Sequence, residues 1–144
     1  WAMINLDTRK PADLLALHGQ ELVDYIETDK ICPIEKPGRI KVTQQMPLRT
    51  IEVYYNDIDI NGHVNSIKYI EHILDLFPKQ WFAEKKVARF EMAYVAESYY
   101  GDTLSFFRDE VDEGIYDIEV RKNVGSDQPE GEVVCRSKIK FDNK

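Results

Sequence analysis

The stretch Asp57–Tyr69, DIDINGHVNSIKY, joins a predicted strand to a predicted helix and concentrates polar side chains at the junction. Its Asn61-Gly62 dipeptide favours a tight turn of the chain. Amide groups at the start of a helix lack an intrahelical acceptor, and the helix dipole favours negative charge there. A carbonyl oxygen under attack develops such a charge, so the stretch suggests a catalytic site.

The segments on either side of this stretch have different periods. Residues 49–56 alternate between apolar and polar side chains, which predicts a strand. Residues 64–77 carry one apolar stripe, which predicts a helix of about 14 residues that is buried on one side and ends at Pro78. The stripe consists of Val64, Ile67, Ile70, Ile73, Leu74 and Phe77.

Four alternating segments follow the helix and predict four more strands. They lie at 88–96, 103–111, 116–121 and 133–141, with turns between the last three. In the last segment the predicted inward-facing residues are Val133, Cys135, Ile139 and Phe141. A strand, a helix and four antiparallel strands predict an α+β fold in which one long helix is wrapped by a curved antiparallel sheet. This order matches the hotdog fold.

The first 48 residues predict a smaller appendage. Pro11 fits the first turn of a helix over residues 11–26, and the breakers in residues 28–47 indicate an extended linker. Trp1–Leu6 resembles the end of a strand with nothing before it to pair with, so we expect the chain to be a fragment of a longer protein.

Composition excludes several classes of protein. With 144 residues, of which 43% are hydrophobic, the chain can bury one core. A net charge of -7 argues against a nucleic-acid-binding surface. No apolar run approaches the roughly 20 residues of a membrane span. We therefore expect a soluble protein. Cys32 and Cys135 form neither a disulfide framework nor a zinc motif, so we expect a reducing, cytoplasmic setting.

Three separate segments resemble the acyl-acyl-carrier-protein (acyl-ACP) thioesterases of fatty-acid synthesis. They are Trp1–Lys10, Asp57–Leu74 and Phe90–Leu104. That family carries two hotdog domains in one chain. The resemblance implies that residues 1–48 are the end of a missing first hotdog domain with its connecting helix and linker, and that residues 49–144 are the second hotdog domain.

The resemblance also implies a reaction and a set of catalytic residues. The family hydrolyses the thioester of fatty acyl-ACP to free fatty acid and carrier protein, and its catalytic positions fall on Asp59, Asn61, His63 and Glu97. Carboxylates and an imidazole suit general-base activation of water. We expect the backbone amides of residues 62–64 to hold the thioester oxygen.

A cysteine nucleophile has also been proposed for this family, and its position is occupied here by Ser98. We therefore favour attack by an activated water, with Glu97 and His63 handling the proton and Asn61 positioning. Ser98 remains open as a nucleophile, although it needs its own base.

Other interpretations of the same residues stay open. A solvent-exposed turn with acidic residues could have the same sequence pattern, and His63 could be a hydrogen-bonded structural histidine. Asp57, Asp59 and Asn61 copy the first half of an EF-hand loop, but Lys68 stands where a bidentate Glu is required. The alternative function is a non-catalytic acyl-binding or dimerisation module that is inactive without the first hotdog domain.

The expected partners are an acyl carrier protein that bears a fatty acyl chain and the first hotdog domain of the parent chain. Alone, the second domain would expose an apolar edge, so we also expect it to form homo-oligomers. The nearest basic cluster for docking the carrier protein consists of Lys79, Lys85, Lys86 and Arg89.

Overall fold

A computed structural model describes residues 3–8, 10–125 and 127–144, except the side chains of Leu17, His18 and Gln20. The chain divides into two compact units, Trp1–Lys36 and Pro37–Lys144. Trp1 and Ala2, which belong to the strand end expected from the sequence, lie outside the described residues. No helix in the described ranges is long and apolar enough to cross a membrane.

The described part of the first unit contains one helix, α1 (Leu14–Asp24). It begins after Asp13, whose carboxylate accepts two backbone N–H groups of the first turn. Gly19 interrupts α1 with φ 55° and ψ −144°, so a continuous helix over residues 11–26 was wrong. Pro11 does not lie in the first turn of α1, because it pairs with Ile4 in an isolated antiparallel bridge.

The second unit is built on a five-stranded antiparallel sheet with the order β1-β3-β4-β5-β2. The strands are β1 (Arg49–Glu52), β2 (Lys85–Tyr94), β3 (Thr103–Asp112), β4 (Ile115–Lys122) and β5 (Glu132–Asn143). Two helices, α2 (Ser66–Leu74) and α3 (Trp81–Glu84), lie between β1 and β2 in the chain. The predicted sequence of strand, helix and four antiparallel strands is confirmed.

Helix α2 has nine residues and is shorter than the predicted helix. Its first turn is capped by Asn65, whose side-chain oxygen accepts from the amide of Ile67 at 3.0 Å. This cap starts the helix two residues after Val64. The prediction that Ile67 is buried was wrong, since Ile67 is 57% exposed and Tyr69 is the buried residue of this turn.

The core lies between α2 and one face of the sheet. Ile73 and Phe77 pack with Tyr116, Ile118 and Val120 of β4, as the alternation in β4 predicted. A register shift between Val120 and Arg121 changes the alternation in β5. Val134 therefore enters the core beside Cys135, and the expectation that Val133 occupies this place was wrong. The helix on one face of the antiparallel sheet agrees with the expected hotdog fold.

The outer face of the sheet, which is turned away from α2, is polar but largely covered. Asp117 and Glu119 of β4 are only 3% and 6% exposed. Residues 37–48, which the sequence placed in the linker, belong to the second unit and cross this face without forming a strand. Three of their amides donate to sheet carboxylates, namely Gly38 to Glu91 at 3.2 Å, Lys41 to Asp117 at 2.9 Å and Thr43 to Asp109 at 2.6 Å.

Asp57 fixes the stretch that follows β1. Its carboxylate accepts from the amide of Tyr54 at 2.9 Å and lies 3.3 Å from Nε2 of His72 on α2. Its carbonyl accepts from the amide of Asn65, the cap of α2, at 2.8 Å. Asp57 thus connects the short 3₁₀ helix Tyr55–Asp57 both to the start of α2, through Asn65, and to its last turn, through His72. These contacts hold both ends of the turn that lies between the two helices.

We expect Asp57→Ala to lower the free energy of unfolding by about 2 kcal/mol, because it removes a cap and leaves the half-buried His72 without its carboxylate. Urea denaturation of the chain and of the variant measures the difference. Glu71→Ala is the matched control on α2, since its ion pair with Lys68 is exposed and should contribute under about 0.5 kcal/mol. Equal losses in the two variants would contradict this role of Asp57.

Candidate active site

The turn between the 3₁₀ helix and α2 is organised by the carboxylate of Asp59. Its Oδ1 accepts from the amides of Asn61 at 2.8 Å and His63 at 3.3 Å. The backbone closes the turn with a bond from the amide of Gly62 to the carbonyl of Asp59 at 3.0 Å. Gly62 has φ 80°, a left-handed conformation that glycine adopts without strain. The predicted tight turn at Asn61-Gly62 is therefore present.

These bonds determine the ionisation of Asp59. Partial desolvation acts to raise its pKa, but the donors from Asn61 and His63 outweigh this and hold the pKa below the ordinary value of 3.8. Asp59 is thus a carboxylate at neutral pH. Because its Oδ1 is bonded to two backbone amides of the turn, the geometry gives Asp59 the task of shaping the turn.

His63 and Glu97 come together although they are distant in sequence. Nε2 of His63 lies 3.5 Å from Oε2 of Glu97, and both side chains are partly exposed. The phenol of Tyr99 donates to the same Glu97 oxygen at 2.9 Å, and its ring meets the His63 ring edge-on at 5.2 Å. The ammonium of Lys122 donates to the Glu97 carbonyl at 2.8 Å and fixes the backbone there. This is a positioned carboxylate and imidazole that face solvent.

A cleft of about 220 Å³ opens beside this pair. Asp59, His63 and Glu97 line it, together with Ser66, Tyr69 and Ser98, among others. Three of the four predicted site residues therefore meet at one cleft. Asn61 is exposed and is not part of the lining, and its side-chain amide lies 3.4 Å from Oδ2 of Asp59.

The amides expected to hold the thioester oxygen are already engaged. Besides the bonds of Gly62 and His63 to Asp59, the amide of Val64 donates to the carbonyl of Ser98 at 2.8 Å. The prediction that residues 62–64 supply these donors was wrong. The physical reason is that a turn closed on its own carboxylate uses its amides internally.

The structure also bears on the cysteines and on calcium. Burial raises the pKa of the Cys135 thiol to about 12, so it stays protonated inside the core, and Cys32 belongs to the first unit.

The carboxylates that resemble the start of a calcium loop are also engaged, since Asp57 and Asp59 accept hydrogen bonds from separate backbone amides. Within the described part of the chain, no group of three or more His, Cys, Asp or Glu residues is arranged to hold a metal ion.

Sequence reasoning did not assign Tyr99 or Lys122 to the site. Tyr99 follows Glu97 by two residues, and in an extended segment such neighbours point to the same side, which was the available signal. Lys122 ends β4 and reaches Glu97 only through the pairing of the folded sheet. No local pattern could have indicated it.

Comparison with known proteins assigns the chain to a family. Residues 40–143 match the family model of the acyl-ACP thioesterase C-terminal domain. A chloroplastic acyl-[acyl-carrier-protein] hydrolase of Cuphea viscosissima is 31% identical over 101 residues, which are 67% of this chain and 24% of that protein. A chloroplastic dodecanoyl-[acyl-carrier-protein] hydrolase of Cinnamomum camphora is 30% identical over 100 residues, 66% of this chain and 26% of that protein.

Solved structures agree with this match. An acyl-ACP thioesterase from Bacteroides thetaiotaomicron shares 62% identity at a TM-score of 0.81, over 96% of this chain and 53% of that one. The 12:0-ACP thioesterase from Umbellularia californica, at 18% identity and a TM-score of 0.67 over 98% of this chain and 53% of that one, shows the common fold. The chain spans about a quarter of its curated relatives and about half of these solved chains. Since the family model covers most of its length, the chain belongs to the acyl-ACP thioesterase family, and its residues 40–143 match the C-terminal domain of that family.

Proposed function

We propose that this chain carries the catalytic groups of an acyl-ACP thioesterase, which hydrolyses fatty acyl-ACP to a free fatty acid and the carrier protein. The observation that carries the proposal is the His63–Glu97 pair, 3.5 Å apart at one cleft, in a domain of this family. Acyl-ACP is the substrate class that the names of the curated relatives print.

The proposed reaction uses a water molecule as nucleophile. As the water oxygen bonds to the thioester carbon, the His63–Glu97 pair takes one proton from it, and the carbonyl electron pair moves onto oxygen. Collapse of this intermediate breaks the carbon–sulfur bond, and the electron pair leaves with sulfur. The proton then passes to sulfur, which gives the free thiol of the carrier protein and a fatty acid. No metal or organic cofactor enters these steps.

Asp59 and Asn61 act in this proposal through position. Asp59 holds the turn that presents His63, since its carboxylate bonds to the amides of Asn61 and His63. The Asn61 side chain stands at the solvent side of the turn, with a long 3.4 Å approach to Asp59 that it can exchange for a substrate contact. Neither residue transfers the proton.

The partners and location stay predictions. We propose the acyl carrier protein as the substrate's carrier, and a first hotdog domain or a second copy of this chain as the neighbour of the sheet. The plant relatives are chloroplastic by name, and a cytoplasmic location for this chain is untested.

The basic cluster considered for docking is poorly placed for this reaction. Lys85 and Lys86 open β2, whereas Glu97 follows its end, so about 30 Å of strand separates them. Lys85 also lies over the Trp81 ring, and Arg89 forms an ion pair with Glu91. These engagements favour a structural role for the cluster.

We expect Glu97→Gln and His63→Ala each to lower kcat about 10²- to 10⁴-fold, because each removes half of the proton-handling pair. Release of the carrier thiol from acyl-ACP measures the rate. The assay uses this chain and a chimera in which the chain replaces the matched 53% of the Bacteroides thetaiotaomicron thioesterase. Glu71→Gln, an exposed carboxylate of α2, is the matched control and should retain the parent rate.

The chimera separates the proposed function from its alternative. An active chimera that is disabled by Glu97→Gln supports catalysis at this site, whether or not the isolated chain is active. A chimera that binds acyl-ACP and leaves the thioester intact would favour the non-catalytic acyl-binding module. Full activity in both Glu97→Gln and His63→Ala would remove the assignment.

The lowered pKa of Asp59 predicts how its role depends on pH. Stability from a carboxylate whose pKa falls on folding is present above its unfolded pKa and is lost as the pH falls through the folded pKa. Asp59→Asn should therefore lower the melting temperature at pH 7, and the difference from the parent chain should shrink near pH 3. Thermal unfolding of both chains at these two pH values measures it. A difference of the same size at pH 3 and pH 7 would show that the charge is not responsible.

A further inference from the structure

Ser98 has a buried hydroxyl that the proposed mechanism does not yet use. The residue is 1% exposed, and its Oγ makes no well-formed hydrogen bond to any described residue. It lines the same cleft as His63 and Glu97. A buried polar group without a partner destabilises the folded state, so its retention at a reactive cleft calls for an explanation.

The backbone of Ser98 is held firmly at this place. Its carbonyl accepts from the amide of Val64 at 2.8 Å, which ties it to the turn that presents His63. Ser98 also directly follows Glu97 in the chain, and both residues line the same cleft. The hydroxyl is therefore positioned relative to both members of the proton-handling pair.

Tyr69 of α2 is the neighbour of this hydroxyl. Burial raises the pKa of Tyr69 to about 12, an effect that the nearby Ser98 hydroxyl partly offsets. The phenol thus stays protonated under all ordinary conditions and is a hydrogen-bond donor. Tyr69 also lines the cleft, so two protonated hydroxyls stand beside each other at its wall.

Thioester hydrolysis at this cleft requires hydrogen-bond donors for the carbonyl oxygen. The carbonyl oxygen of a thioester gains negative charge when water attacks, and a catalyst must place donors where that charge develops. The amides of Gly62, His63 and Val64 are engaged within the fold. Among the described residues that line the cleft, Ser98 has a buried hydroxyl without a well-formed hydrogen bond, so this hydroxyl is available as a donor.

We propose that the Ser98 hydroxyl donates a hydrogen bond to the thioester carbonyl oxygen, with the Tyr69 phenol beside it at the wall of the cleft. This inference rests on the proposed thioester hydrolysis. The carbonyl electron pair moves onto oxygen as water adds and returns as the carbon–sulfur bond breaks. Ser98 keeps its proton throughout and stabilises the charge in between.

The same geometry argues against Ser98 as the nucleophile. A serine hydroxyl attacks only when an adjacent base takes its proton. No described base forms a well-formed hydrogen bond with Ser98 Oγ, while His63 lies against Glu97. A donor needs no such base, and its preorganised, desolvated position is an advantage for binding charge.

The matched pair of variants is Ser98→Ala and Ser137→Ala. Ser137 is also fully buried with an unpartnered hydroxyl, but it lies in β5 outside the lining of the cleft. In the active chimera, Ser98→Ala should lower kcat about 10²- to 10³-fold with KM nearly unchanged. Ser137→Ala should leave both constants near the parent values. Ser98→Cys, a weaker donor of similar size, should give an intermediate kcat.

The outcomes separate this inference from the proposed function. Loss of kcat in Ser98→Ala alone, with intermediate activity in Ser98→Cys, supports the donor role. Parent kcat in Ser98→Ala while Glu97→Gln is inactive overturns this inference and leaves the proposed function standing. Equal losses in Ser98→Ala and Ser137→Ala overturn it in favour of a packing role.

Mass spectrometry of the intact protein during turnover tests the remaining chemistry. The donor role expects no covalent adduct on the parent chain. An acyl group bound to Ser98 would overturn it and identify the residue as a nucleophile. Full activity of both the Glu97→Gln and the His63→Ala chimera would remove the proposed function itself, and this inference with it.

Discussion

The hydrogen bond from the amide of Val64 to the carbonyl of Ser98 is the contact on which the site depends. It joins the turn before α2 to the segment after β2. Val64 follows His63 and Ser98 follows Glu97, so this bond, together with the backbone bonds of Val53 to Gly101 and Asp102, holds the imidazole and the carboxylate 3.5 Å apart. The adjacent bridge between Ile58 and Val64 fixes the direction of the turn. The pair is therefore placed by main-chain geometry, which tolerates little displacement.

The acidic groups of the site divide their tasks by environment. Asp59 receives backbone donors, and these lower its pKa and favour its ionised form. Glu97 receives a phenol and faces an imidazole at the open side of the cleft. The two carboxylates thus have different surroundings, and the proposed mechanism gives Asp59 a structural role and Glu97 a reactive one. The difference comes from hydrogen-bond partners, since the side chains share the same functional group.

Much of this arrangement follows from local sequence patterns. The period of two predicted the strands, the period near 3.6 predicted α2, and the Asn61-Gly62 dipeptide predicted the turn. The errors lie where tertiary structure overrides the pattern. Because of the register shift in β5, Val134 and not the predicted Val133 lies in the core. Because Asn65 caps the helix, α2 begins later than the apolar stripe predicted. The use of the turn's amides was also unpredictable, since it depends on where the Asp59 carboxylate and the Ser98 carbonyl lie in space.

The solvent exposure of the site limits what the second unit achieves alone. The Glu97 side chain is 46% exposed, and water at such a surface weakens each electrostatic interaction on which charge stabilisation relies. Apolar side chains around the turn are exposed as well, among them Ile60 at 99% and Tyr55 at 84%. Surfaces of this kind favour burial against another body, and the same burial would exclude water from the cleft. A partner that covers the turn would bury these apolar side chains. The same removal of solvent would strengthen the interaction between His63 and Glu97.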